Sequence, residues 1–255
     1  MEDNRINRRR LLVGGSLVSA AGAAGAQAWR DGALGAPPHT YNGAMPWAEG
    51  AADSPPMAEP GGFRFFTEAE RAFLEPAVDR LIPPDPTGPS ATQANVPVFL
   101  DRQLAGSYGR GDHFYLGGPW PKGTPEQGYQ SRYNPAQYYR AAIPAIESAV
   151  GKAYSGKAFK GLSAAQQDAV LKGLESGQLE LSNVDGKGFF GLFLQNTIEG
   201  YFSDPIYGGN KDMAAWKMIG FPGAHYDYKE WATRFGQRVP FPPVSIMGRP
   251  GWSEA

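Results

Sequence analysis

The stretch "GFFGLFLQNTIEGYF", residues 188–202, is apolar on nearly every side of a helical wheel. A helix with no polar face is stable only when other elements surround it, so this segment predicts the central, most buried helix of the fold. The rest of the chain must therefore supply amphipathic partners that can lie around it.

Those partners carry helix boundaries in their sequence. In "FFTEAERAFLEPAVDRLIPP", Thr67 and Glu70 form a T-x-x-E capping box ahead of an apolar stripe at Phe73, Leu74, Ala77, Val78, Leu81 and Ile82. The spacing predicts a helix bent near Pro76 and ended by Pro83-Pro84. A second helix is expected over "NVPVFLDRQLAG", with Pro97 in its first turn and Gly106 at its end. A third starts at Asn134-Pro135, as cap and first helical residue. A fourth opens with the capping box Ser163/Gln166 and closes near Gly177. From about Gly106 to Ser131 the glycines and prolines crowd too closely for regular structure. No convincing run of alternating Val, Ile or Thr occurs, so the fold class is mostly α, a compact helical core with long irregular N- and C-terminal arms. The 34 glycines and 23 prolines are consistent with those arms.

Residues 1–28 have the three parts of an export signal in order: a basic start with Arg8-Arg9, the glycine-diluted apolar stretch Leu11–Ala28, and small residues at Ala26 and Ala28 before Trp29. This pattern reads as a twin-arginine signal, a route that carries folded proteins. Residues 29–62 form a Pro- and Gly-rich extended arm, residues 63–224 the helical domain, and residues 225–255 an aromatic and Pro-rich arm that needs a surface to cover. Without residues 1–28 the chain holds 20 basic and 23 acidic residues, net −3, which gives no basic stripe for nucleic acid. With no cysteine, disulfides, iron–sulfur ligation and covalent haem attachment through a C-x-x-C-H box are excluded.

Motifs of chemistry are few. Gly186-Lys187-Gly188-Phe189-Phe190-Gly191 matches G-x-G-x-x-G, but "LELSNVD" precedes it instead of a hydrophobic strand, so it reads as a glycine-rich start of the buried helix. Glu199, Asp204 and His225 could form a small acid–base site, and Trp120, Trp216 and Trp231 could stack on a sugar. Neither set has a recognisable catalytic or metal-ligand spacing. Asp204 is better placed to satisfy backbone donors in the Asp204-Pro205 turn, and Asp212 to complement a helix N-terminus in "KDMAAWKMIG". Catalytic, cofactor and metal residues are accordingly expected to be none.

"FFTEAERAFLEPAVDRLIPPDPTGPSATQANVPVFLDRQLAGSYG" and "FFGLFLQNTIEGYFSDPIYGGNKDMAAWKMIGFPGA" together resemble the gluconate 2-dehydrogenase subunit 3 family. The likeness spans residues 63 to about 225 and is most specific in Gly-Tyr-Phe-Ser-Asp-Pro-Ile-Tyr-Gly-Gly-Asn and the following Gly-Phe-Pro-Gly. Pro76, and Ala215 where glycine is expected, depart from the pattern. The resemblance implies a non-catalytic small subunit. Its partners would be a large FAD-dependent subunit of the glucose–methanol–choline type and a multi-haem cytochrome c, in the periplasm at the inner membrane. It would stabilise the flavin subunit and escort it to the twin-arginine translocase.

On that reading the aromatic-rich run after the buried helix is a partner interface. Asp204-Pro205 fixes the chain's exit, Gly208-Gly209-Asn210 turns it, and Tyr201, Tyr207, Trp216 and Phe221 face the flavin subunit.

Overall fold

Seven α-helices make up the described part of the computed structural model, which covers residues 62–246 apart from 115, 121–122, 125–126, 130, 226, 238, 240–242 and the side chain of 230. They are α1 (Glu68–Leu81), α2 (Val96–Ala105), α3 (Ser107–Arg110), α4 (Pro135–Ala153), α5 (Ala164–Ser176), α6 (Gly186–Phe202) and α7 (Ala214–Ile219). Among the described residues the only β pairing is two isolated bridges, Leu181 with Val184 and Gly223 with Val244. The signal with Arg8 and Arg9, and all of the 29–62 arm except Gly62, lie outside the described residues.

The local signals act where the sequence puts them. Thr67 Oγ1 accepts from Glu70 N at 3.3 Å and Glu70 Oε2 from Thr67 N at 2.8 Å, closing the capping box of α1. Ser163 and Gln166 do the same for α5, whose end at Gly177 is left-handed, φ 77°. Asn134 caps α4 with Pro135 in the first position, and Gln137 completes a box there as well. α1 runs through Pro76 without interruption, and α4 runs through Pro144. Pro144 is exposed, so water can reach the carbonyl whose helical partner it removes.

α6 is central: it packs against α1, α2, α4, α5 and α7. Its Phe189 and Phe193 stack 5.8 Å apart, Tyr139 of α4 meets Phe189 edge-on at 5.2 Å, and Phe73 of α1 meets Phe159 at 4.9 Å. All five rings are sealed from solvent. Asn196, a buried polar residue on the same helix, donates to Tyr139 Oη at 3.1 Å and accepts from Tyr108 Oη at 2.9 Å, so its amide is satisfied inside the core. Burial pushes the Tyr108 phenol up to about 12, against the lowering effect of the Asn196 bond.

α6 is nevertheless not buried all round. Lys187, Gly188, Gly191, Gln195, Ile198, Glu199 and Phe202 form one solvent-facing stripe at helical spacing. Glycines and the three polar residues Lys187, Gln195 and Glu199 mark that face, but Ile198 and Phe202 share it.

Two bidentate or buried ion contacts tie α1 to its neighbours. Arg80 clasps Asp168 of α5 through two bonds of 2.6 and 2.8 Å, and Arg140 of α4 pairs with Glu70. A buried carboxylate fixes the start of the domain: Asp101 of α2 accepts from the backbone N–H groups of Arg64 (2.7 Å), Phe65 (2.8 Å) and Phe66 (2.8 Å).

Candidate functional site

The chain after α6 folds back over the end of that helix. Ser203 caps it, Asp204 starts a 3₁₀ turn at Pro205–Tyr207, and a second turn at Lys211–Met213 leads into α7. Asn210 is the hub. It is fully buried with left-handed backbone (φ 43°); its N–H donates to Gly200 O at 3.1 Å and its side-chain amide to Ser203 O at 2.9 Å. Its Oδ1 accepts from Ala215 N at 2.9 Å. One residue thus satisfies carbonyls at the end of α6 and an N–H at the start of α7, groups that no intrahelical bond can reach.

Asp212, expected to set a negative charge near a helix N-terminus, lies in the 3₁₀ turn that leads into α7. Asp212 is exposed, and the cap bond at the start of α7 comes from Asn210. Asp212 and Met213 are themselves left-handed, φ 57° and 53°, so three non-glycine residues in four positions hold a conformation that costs L-residues roughly 1–2 kcal/mol each. The loop is over-determined by its neighbours: Lys211 N donates to Ala94 O at 3.1 Å and Asn95 Nδ2 to Gly208 O at 2.8 Å.

Gly208, left-handed at φ 97°, and Gly209 are buried against this frame. A Cβ on Gly209 would run into Gly200 O and lie 2.8 Å from Ser203 Oγ. The expected rigid turn is present, and its glycines serve the chain's own packing.

Several residues expected to face a partner are turned inward. Tyr201 is 3% exposed and donates to Pro89 O at 2.8 Å; Trp216 is 6% exposed, with its indole N–H on Phe202 O at 2.8 Å. Asp204 and Pro205 are buried too. The physical reason is that the loop needs its own apolar anchors, and a Tyr or Trp can bury its ring while handing its polar tip to a backbone carbonyl. Of the aromatics named, Tyr207 and Phe221 remain exposed, Phe221 meeting the Trp216 ring edge-on at 5.1 Å.

What reaches the surface is aliphatic as much as aromatic. Ten large apolar side chains are exposed among the described residues, and eight belong to this end: Ile198, Phe202, Ile206, Tyr207, Met218, Ile219, Phe221 and Ile246. A concentration of this kind marks an interaction surface better than scattered single residues do. Reasoning from aromatic content passed over Ile198, Ile206, Met218, Ile219 and Ile246. Ile198 was legible, since it lies between Gln195 and Glu199 on the polar stripe of α6.

The other candidate sites do not assemble. Glu199 is exposed and accepts from Gln195 at 2.8 Å, while the Asp204 carboxylate is occupied by Ile206 N (3.0 Å), Ser245 Oγ (2.6 Å) and Ile246 N (2.8 Å). Trp120 lines an open cleft of about 680 Å³ with Arg110, Arg132 and Arg140, a cleft that contains neither Trp216 nor Trp231. At Gly186–Gly191 the start of α6 is filled by the Asp185 carboxylate, which accepts from Gly188 N at 3.0 Å, where a pyrophosphate would have to sit. No group of three His, Cys, Asp or Glu able to hold a metal ion occurs among the described residues, and no helix there is long and apolar enough to cross a membrane.

No curated protein and no solved structure matches the chain. A family model does, over residues 68–223, and its description is gluconate 2-dehydrogenase subunit 3.

Proposed function

The chain belongs to the gluconate 2-dehydrogenase subunit 3 family, and from that premise we propose that it is the non-catalytic small subunit of an FAD-dependent dehydrogenase complex acting on a sugar, sugar acid or polyol. The complex works in the periplasm at the inner membrane, where a multi-haem cytochrome c takes the electrons. The small subunit stabilises the large flavin subunit and escorts it through twin-arginine export, with Arg8 and Arg9 as the signal's core.

The observation that carries this reading is the gathering of eight exposed apolar side chains on one end of the domain, built on a loop whose backbone is held by Asn210, Gly209 and Trp216. A surface of that kind is costly in water and is stabilised when a second chain covers it. Asp204 supports the same view from the side of chemistry: three donors from the chain's own backbone and Ser245 hold its carboxylate, which suits a structural duty.

The test is native purification of the chain from membranes through a tag after Ala255, with partner masses and a visible absorption spectrum. A co-eluting larger chain with flavin bands is the expected result. A colourless protein that elutes alone would overturn the assignment.

A further inference from the structure

The C-terminal segment crosses the loop that follows α7, and two residues of the family-matched region are committed to holding it. Val244 pairs with Gly223 in a parallel bridge: Val244 N donates to Pro222 O at 3.1 Å, and Ala224 N to Val244 O at 2.6 Å. Gly223 has φ 79°, and a Cβ there would collide with the Val244 backbone, so only glycine lets the two segments approach this closely. One step further, Asp204 accepts from Ser245 Oγ and Ile246 N. Residues 68–223 match the family, so the fastening residues lie inside that region and the fastened ones, 244–246, lie beyond it.

The fastening brings two exposed side chains together. Ile206 N and Ile246 N bind the two oxygens of the same carboxylate, and both side chains stand in solvent, 38% and 55% exposed. Phe202 and Phe221 join them through Trp216, which bonds the carbonyl of the first and packs on the ring of the second.

We propose that residues 243–246 are a strap that completes the docking face for the flavin dehydrogenase subunit. Asp204 and Gly223 serve as its clasp, and Ile206, Ile246, Phe202 and Phe221 are the side chains the partner covers. This rests on the subunit reading above. The occupant is the dehydrogenase because the chain is a subunit by family, and because exposed apolar surface is gathered here and nearly nowhere else on the described residues.

The test uses the full chain co-expressed with its dehydrogenase. Ile246→Asp changes an exposed residue and leaves the clasp in place, and it lowers co-purified dehydrogenase by at least ~10-fold, the loss of one buried interface anchor. Asp204→Asn replaces one acceptor oxygen with an amide that cannot receive both strap bonds. It lowers capture similarly and speeds hydrogen exchange at the Ile246 and Ala224 amides. Phe235→Ser, at the most exposed large apolar residue among the described ones and in neither the strap nor its clasp, leaves capture unchanged. Wild-type capture by Ile246→Asp, or unaltered exchange in Asp204→Asn, overturns the strap while leaving the subunit reading intact. Pairing of the face with a second copy of this chain in the purified complex overturns the strap's partner. If the wild-type chain captures no dehydrogenase, both ideas fall.

Discussion

Asn210 illustrates how much one side chain can decide in this fold. Its amide spans the junction of two helices, and its backbone tolerates left-handed geometry better than most residues because the short polar side chain bonds locally. Asn210→Ala should leave a buried carbonyl and a buried N–H without partners and lower stability by roughly 2–4 kcal/mol; chemical denaturation would measure it. Glu70 gives a pH signature. Burial works to raise its pKa, but bonds from Arg140 and Thr67 outweigh that and hold it below the ordinary 4.5. A carboxylate depressed by folding contributes stability that is complete above its unfolded pKa and is lost as the pH falls through the folded one. Melting temperature should therefore drop on acidification below about pH 4.5, and Glu70→Gln should flatten that slope. Neither role required the structure to be suspected equally: Glu70 announces itself three residues after Thr67, whereas Asn210 bonds groups fixed only once α6 and α7 meet.

Among the elements, the helices were legible because their boundaries are written locally. Thr67, Asn134 and Ser163 each sit at the cap, with Glu70, Gln137 and Gln166 completing the box. Pro76 lies inside α1 and the helix ends at Leu81, just ahead of Pro83-Pro84, since a proline removes one helical bond without ending a helix whose buried face holds it. α6 misled: its apolar composition suggested burial all round, while the bundle leaves one stripe open, and an apolar residue on that stripe is indistinguishable by type from one in the core. The least legible link is between elements distant in sequence, as at Asp101, where a residue of α2 gathers three amides from ahead of α1. Asp101→Asn should cost about 2–3 kcal/mol through weaker bonds from a neutral acceptor, lowering the melting temperature by roughly 5–10 °C. Amide exchange would then accelerate first at Arg64, Phe65 and Phe66.

At the scale of the molecule, the exposure of the run from Tyr201 to Phe221 could not be resolved into residues from sequence. The run carries exposed apolar side chains, yet which of them point outward depends on how Tyr201 and Trp216 find carbonyls on Pro89 and Phe202, and on the bond from Ile246 N to Asp204, far along the chain. An uncovered face of this kind has a consequence for the isolated subunit. Made without a partner, it should self-associate with rising concentration, and Ile219→Glu, at a residue 57% exposed, should shift sedimentation profiles toward monomer without altering the melting temperature. A fold-preserving change with no effect on association would point to some other surface. The joint at Asp101 also has a mechanical meaning. Tension applied at residues 64–66 enters the bundle at two points, α2 through the three amides held by the Asp101 carboxylate and α4 through Arg140, which donates to the Phe65 carbonyl. A pull on this end should therefore load two helices at once, and Asp101→Asn should lower the force that peels residues 64–66 from the bundle in single-molecule stretching.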